Sequence, residues 1–134
     1  MEIKDLLILI QKAAYKIRMN FCPGYLESVY QNALLIELRD MGLKAEKEVP
    51  LSLFYKGHNI GDFRADIIVN DQVILELKTV STLNTNHEMQ LVNYLHTTGI
   101  EYGFLINYGG DEYRIMLKTR DYRKLKEMSD ALRF

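Results

Sequence analysis

Two short apolar runs carry charges where a buried strand should have none. Residues 63–69 read Phe63-Arg64-Ala65-Asp66-Ile67-Ile68-Val69, and residues 73–80 read Val73-Ile74-Leu75-Glu76-Leu77-Lys78-Thr79-Val80. Only the polar turn Asn70-Asp71-Gln72 separates them, so they read as two strands of a hairpin. Side chains alternate across a strand, which sends Glu76 and Lys78 one way and Leu75, Leu77 and Thr79 the other. The hairpin brings Asp66 beside them. Two acids and a lysine among Ile, Val and Leu are costly to bury unless something compensates, and a divalent cation is one such compensation. The alternative for the same residues is a surface ion pair of Asp66 with Lys78, with Glu76 solvated.

The 134 residues and 48% apolar content suit one globular domain over 1–134 with one core. A net charge of -1 gives no strong global field for nucleic acid or anionic membrane, which does not bear on an enzyme that engages a strand locally. The lone cysteine, Cys22, has no partner for an internal disulfide and fits a reducing compartment. The apolar run Leu6-Leu7-Ile8-Leu9-Ile10 follows Glu2 and Asp5. It is too short for a membrane span and too acidic in its approach for a signal peptide. A cytoplasmic protein without membrane contact is the expectation.

Ile3, Leu6, Leu7, Ile10, Ala14 and Ile17 recur at helical spacing and give an amphipathic first helix. Cys22-Pro23-Gly24 breaks it. A second helix is expected over 25–41, with Leu26, Val29, Tyr30, Ala33, Leu34 and Leu38 inward and Gly42 as its stop. Residues 43–49 and 51–56 read as two extended segments, followed by a tight turn at Lys56-Gly57-His58-Asn59 and strands over 59–69 and 72–80. A third helix fits 85–98, a buried strand 101–108, a last strand 112–118 and a terminal helix 120–132. Four strands, a helical crossover and two more strands imply a mixed sheet flanked by helices.

Hard cations such as Mg²⁺ take carboxylate oxygen, backbone carbonyl and water. Asp66 and Glu76 could supply carboxylates and Leu77 its backbone carbonyl, while a cation there would acidify a water and screen a phosphate. Lys78 could stabilise developing negative charge. Glu27 stands in the first turn of the second helix, where an acid also suits the helix dipole; Tyr30, one turn on, reads as core. His87, Gln90 and Tyr94 share one face of the third helix and could grip a phosphate, though a solvated face explains them too. His58 and His96 carry no motif. No zinc spacing or nucleotide-binding glycine loop occurs. Lys118, Arg120, Arg123, Lys124 and Lys126 could track a phosphate backbone or form a solvated helix face. The tyrosines are spaced like core, and no stacking platform of the single-strand-binder type stands out.

Taken together, Asp66 and Glu76-Leu77-Lys78 resemble the D…(D/E)-x-K signature of the PD-(D/E)XK nuclease superfamily. Gly24-Tyr25-Leu26-Glu27-Ser28-Val29-Tyr30 is similar to the pattern that names its GxxExxY family, a small bacterial branch. Gln90-Leu91-Val92-Asn93-Tyr94 resembles the Q-x-x-x-Y motif of RecB-like and Cas4-like members. The resemblance spans about residues 5–118 and departs in one place, with Ala65 where the superfamily's name has proline. It implies an α/β (α+β) restriction-endonuclease-like fold with an αβββαβ core. Asp66, Glu76 and the Leu77 carbonyl would hold Mg²⁺ or Mn²⁺, and Glu27 would complete the site or hold a second ion. Lys78 would be the catalytic lysine, with Gln90 and Tyr94 supporting it.

The reading that follows is a metal-dependent nuclease acting on nucleic acid, with DNA expected ahead of RNA, and with a homodimer as one arrangement for cutting a duplex. The alternative is a non-catalytic nucleic-acid- or partner-binding domain on the same fold, carried by the basic residues of 118–126.

Overall fold

The structure is a computed structural model and describes residues 1–120. Helices α1 (Ile3–Asn20) and α2 (Glu27–Asp40) precede strands β1 (Ala45–Tyr55), β2 (His58–Val69) and β3 (Val73–Lys78). Helix α3 (Thr85–Thr98) then leads to β4 (Tyr102–Asn107) and β5 (Arg114–Thr119). The five strands lie in sequence order in one sheet. All neighbours are antiparallel except β3 and β4, which are parallel and joined through α3. A parallel pair needs such a crossover, and a helix supplies it. From α2 onward the order is the αβββαβ core of a restriction-endonuclease-like fold.

Two cores flank the sheet. Leu6, Leu7, Ile10 and Ile17 of α1 and Tyr30, Leu34 and Leu38 of α2 pack on Ile67, Val69, Leu75, Leu77, Phe104 and Ile106. On the other face Leu91, Tyr94 and Leu95 of α3 pack on Ile68, Ile74 and Leu105. The alternation within β3 is the one its sequence requires: Leu75 and Leu77 face α1 and α2, and Ile74 faces α3. Gly103 of β4 lets α3 lie close, since a Cβ there would meet Leu91 at 2.8 Å. Gly99, in the left-handed region at φ 75°, stops α3.

The expected segments 43–49 and 51–56 are one strand. Pro50 pairs with Arg64 in β1, at the edge of the sheet, where one side of the strand has no ladder to break and proline is tolerated. Helix α2 starts at Glu27, leaving Leu26 as its N-cap and 77% exposed rather than inward. The terminal helix expected over 120–132, with Arg123, Lys124 and Lys126, lies outside the described residues. Among the described residues no helix is long and apolar enough to cross a membrane.

The β1–β2 hairpin changes face part-way along. Ala45, Ile67 and Val69 belong to the α1/α2 core, whereas Val49, Leu51 and Ala65 pack into the α3 core. In a regular strand residues of like parity share a face. The change occurs at Glu48, whose φ of 52° lies in the left-handed region, and such an irregularity re-aims the side chains around it. The flanking pairs Lys47↔Ile67 and Val49↔Ala65 set Glu48 across from Asp66.

Candidate active site

The β2–β3 ladder runs from Val69↔Val73 to Ile67↔Leu75 and then opens. At the opening two carboxylates replace the backbone pairing. The Leu77 N–H donates to Asp66 Oδ2 at 2.7 Å, and the Asp66 N–H donates to Glu76 Oε1 at 3.2 Å. Glu76 is only 3% exposed. Buried backbone N–H groups need acceptors, so these acids partly close the end of the hairpin.

Glu27 reaches the same point from the first turn of α2, in side-chain hydrogen-bonding contact with Asp66. The loop before α2 explains its placement. Gly24 has φ 118°, a conformation that favours glycine. The Tyr30 hydroxyl donates to the Cys22 carbonyl at 2.7 Å and accepts from the Tyr25 N–H at 3.2 Å. The Tyr30 ring stacks on Tyr108 with centroids 4.9 Å apart. Glycine turn, acid and tyrosine therefore act as one device that holds Glu27 at the strand ends.

Lys78 points toward α3. Its Nζ donates to Gln90 Oε1 at 2.8 Å, and Gln90 Nε2 donates to the Tyr94 hydroxyl at 3.2 Å. The spacing of four puts Gln90 and Tyr94 on one face of the helix. His87 does not join this row. Its Nδ1 accepts from the Asn84 N–H and its own N–H donates to Asn84 Oδ1, both at 3.1 Å, which makes it part of the α3 capping box.

Burial is the largest influence on the acids. It pushes the Glu76 carboxyl up to about 9, reinforced by repulsion from Asp66. It pushes Glu27 up to about 7, again with Asp66 adding to it. Asp66 is raised as well, chiefly by burial, with the Leu77 N–H acting in the opposite sense. Burial and mutual repulsion therefore favour the protonated forms of these carboxyls.

Three residues that the sequence reading did not single out belong here. Gln31, 6% exposed, donates from Nε2 to Glu48 Oε1 and to the Asp66 carbonyl, each at 2.9 Å. It lies four residues after Glu27 on the same face of α2, a signal the sequence does carry. Glu48 is a fourth carboxyl group here, and its charge raises both Glu27 and Asp66. Asn107, across from Lys78 on β4, clamps the chain leaving β3. Its Oδ1 accepts from the Val80 and Gly109 N–H groups and its Nδ2 donates to the Val80 carbonyl.

Among the described residues no three His, Cys, Asp or Glu side chains stand ready-spaced around a metal position. Their oxygens are instead turned onto backbone N–H groups and one another. The donor set is nonetheless all oxygen, which fits a hard cation and not a thiolate-seeking one. Asp66, Glu76 and Glu27 could hold such an ion by exchanging these hydrogen bonds for it.

The family model of the PD-(D/E)XK nuclease superfamily matches residues 4–119. The chain belongs to that superfamily. Among solved structures, SSO0001 superposes with a TM-score of 0.54 at 22% identity over 78% of this chain, and the fold is shared with it. The alkaline exonuclease LHK-Exo from Laribacter hongkongensis superposes with a TM-score of 0.44 at 14% identity over 79% of this chain. The matched regions cover 56% of the first and 62% of the second. No curated protein is significantly similar to the chain. In this member of the PD-(D/E)XK superfamily, Asp66, Glu76 and Lys78 lie together at the open end of the β2–β3 hairpin.

The two described members of the late basic cluster are held in ion pairs. Lys118 Nζ pairs with Glu88 Oε1 at 2.5 Å, and Arg120 with Glu101 Oε2 at 2.9 Å.

Proposed function

We propose that the chain is a Mg²⁺- or Mn²⁺-dependent nuclease of the GxxExxY branch, with RecB-like and Cas4-like site chemistry, that hydrolyses phosphodiester bonds. DNA is the expected substrate, ahead of RNA. The observation that carries the proposal is the meeting of Asp66, Glu76 and Glu27 with the tethered Lys78 at one open strand end. Residues 1–134 are read as one domain, and the exposed Cys22 thiol fits the reducing cytoplasm.

Asp66, Glu76, Glu27 and the Leu77 carbonyl are the groups assigned to the ion. A divalent cation held there would supply charge neutralisation and would acidify a water. The protein's own contribution is positional. Gln90 keeps Lys78 Nζ extended along the α3 face, where it can donate to a phosphate oxygen as negative charge builds. Tyr94 holds Gln90 in turn. Asn107 fixes the backbone just beyond Lys78, so the ammonium is presented from a rigid base.

The alternative of a non-catalytic nucleic-acid- or partner-binding domain places the interaction on 118–126. The ion pairs of Lys118 and Arg120 weigh against it, since both charges are already partnered. The test is cleavage of labelled single- and double-stranded DNA and RNA with Mg²⁺, Mn²⁺ or EDTA, by the wild type and by Glu76→Ala. Metal-dependent cutting lost in the variant is expected. Metal-dependent cutting that persists in Glu76→Ala contradicts the assignment of Glu76, and no cutting on any substrate favours the binding-domain reading. A homodimer is read from the order of the cutting rate in protein concentration.

A further inference from the structure

The outer half of the β1–β2 hairpin, beyond the face change at Glu48, leans toward α3 and leaves an open groove of about 600 Å³ between them, within the usual range of ligand sites. Leu53 and Phe63 form the hairpin wall, and Asn86, Met89, Asn93 and His96 lie along the helix. Gln90 and Tyr94 also line it, so the groove continues into the row that ends at Lys78.

Two properties of the groove define its occupant. The first is charge. Among the described residues no Asp, Glu, Lys or Arg lines it, although charged residues are 26% of the chain. A phosphate therefore finds its partner at the Lys78 end, and what enters the groove beside it is neutral. The second is the kind of surface. Phe63 is 39% exposed, and its ring sits 5.7 Å from the Tyr94 ring at a 48° tilt. Met89 is 48% exposed, and Asn86 and Asn93 offer paired donors and acceptors. A flat neutral group with hydrogen-bonding edges, joined to a phosphate, is a nucleobase.

We infer that this groove takes an unpaired nucleobase next to the scissile phosphate, which makes single-stranded or splayed nucleic acid the substrate class. The inference rests on the nuclease reading above and deepens it. A base in a duplex is stacked and paired and cannot enter, whereas an unpaired base can stack on an aromatic ring without regard to sequence. The sequence alone suggested no stacking platform; it arises because the hairpin's change of face carries Phe63 to the α3 side.

The test is fluorescence anisotropy, with Ca²⁺ replacing Mg²⁺, on three labelled ligands. These are a short single strand, the same strand with abasic spacers in place of its bases, and a blunt hairpin duplex. The base-bearing strand is expected to bind about tenfold tighter than the other two, the worth of one base–aromatic stack. Phe63→Ala should remove most of that difference and leave the abasic ligand unaffected. Phe63→Leu, which keeps apolar bulk, guards against a folding defect and should behave alike. Equal binding of the abasic and base-bearing strands, or of duplex and single strand, overturns the inference, as does no binding of any ligand. Base-dependent binding without cleavage keeps the groove and contradicts the nuclease reading. Metal-dependent cutting of blunt duplex and single strand at equal rates keeps the nuclease reading and overturns the groove.

Discussion

Asp66 and Glu76 each cap a backbone N–H on the other's strand: the Asp66 carboxylate accepts from Leu77 and the Glu76 carboxylate accepts from Asp66 itself. The same carboxylates are proposed to bind the cation. Metal binding and the closure of the hairpin end therefore draw on the same oxygens.

In EDTA, stability should fall as pH rises. Glu76 moves from an ordinary value of 4.5 to about 9 on folding, and Glu27 from 4.5 to about 7. Between those values the folded protein keeps protons that the unfolded chain has lost, so the slope of stability with pH is negative. The contribution is fully present below 4.5, diminishes through about 7 as Glu27 ionises, and is lost by about 9 as Glu76 does. Thermal melts across that window check it. A stability that rises from 7 to 9 contradicts the burial of these acids.

Mg²⁺ or Mn²⁺ should flatten that slope and raise the melting temperature most at the alkaline end, because the cation displaces the protons. Glu76→Gln cannot ionise. In EDTA it should melt roughly 3–5 °C above the wild type near the top of the window, and gain little from metal. A metal-induced rise undiminished in the variant removes Glu76 from the ion's ligands.

Lys78→Met should lower the cleavage rate by about 10²–10³, the usual effect of deleting one preorganised charge stabiliser, with the melting temperature held or raised. Gln90→Ala should lower it by about tenfold, because Lys78 Nζ loses its 2.8 Å tether but stays charged. Single-turnover rates separate the two. Equal losses would mean that Gln90 touches substrate itself.

Much of this site was legible in the sequence, and the reasons it ran out are specific. The meeting of Asp66, Glu76 and Lys78 is legible because strand alternation and a three-residue turn suffice to bring them together. Gln90 and Tyr94 needed only helical spacing. Glu48 was not legible. Counting back from the pair Tyr55↔His58 in perfect register sets Glu48 against Ala65, and the one-residue shift between Leu53 and Phe54 moves it to Asp66. No local signal announces that shift. The same holds for Pro50, which read as a strand break because its position at the sheet edge is a property of the whole topology. His87 was expected beside Gln90 from spacing alone, and the capping box at Asn84 claimed it instead.

Tyr30→Phe should destabilise the protein by about 1 kcal/mol, the net worth of a hydrogen bond of this kind. It should also reduce cleavage, because the loop that presents Glu27 loses its tie to the Cys22 carbonyl. Denaturant unfolding and initial rates measure the two effects. A cleavage rate unchanged at full wild-type stability would uncouple the loop from the site.

Asn107→Ala should destabilise by about 2–3 kcal/mol, since the Val80 and Gly109 backbone groups it satisfies are left without partners. Urea unfolding gives the value. A loss under about 0.5 kcal/mol would show that water replaces the side chain at this position.

The most direct measurement is single-turnover cleavage of an end-labelled single strand by wild type, Glu76→Ala and Lys78→Met, each with Mg²⁺, Mn²⁺ or EDTA, alongside metal-induced thermal shifts of the same three proteins. The account predicts cutting by the wild type with metal only and loss of cutting in both variants. It also predicts a metal-induced shift that survives in Lys78→Met and disappears in Glu76→Ala. Cutting in EDTA, or cutting by Glu76→Ala at the wild-type rate, contradicts it.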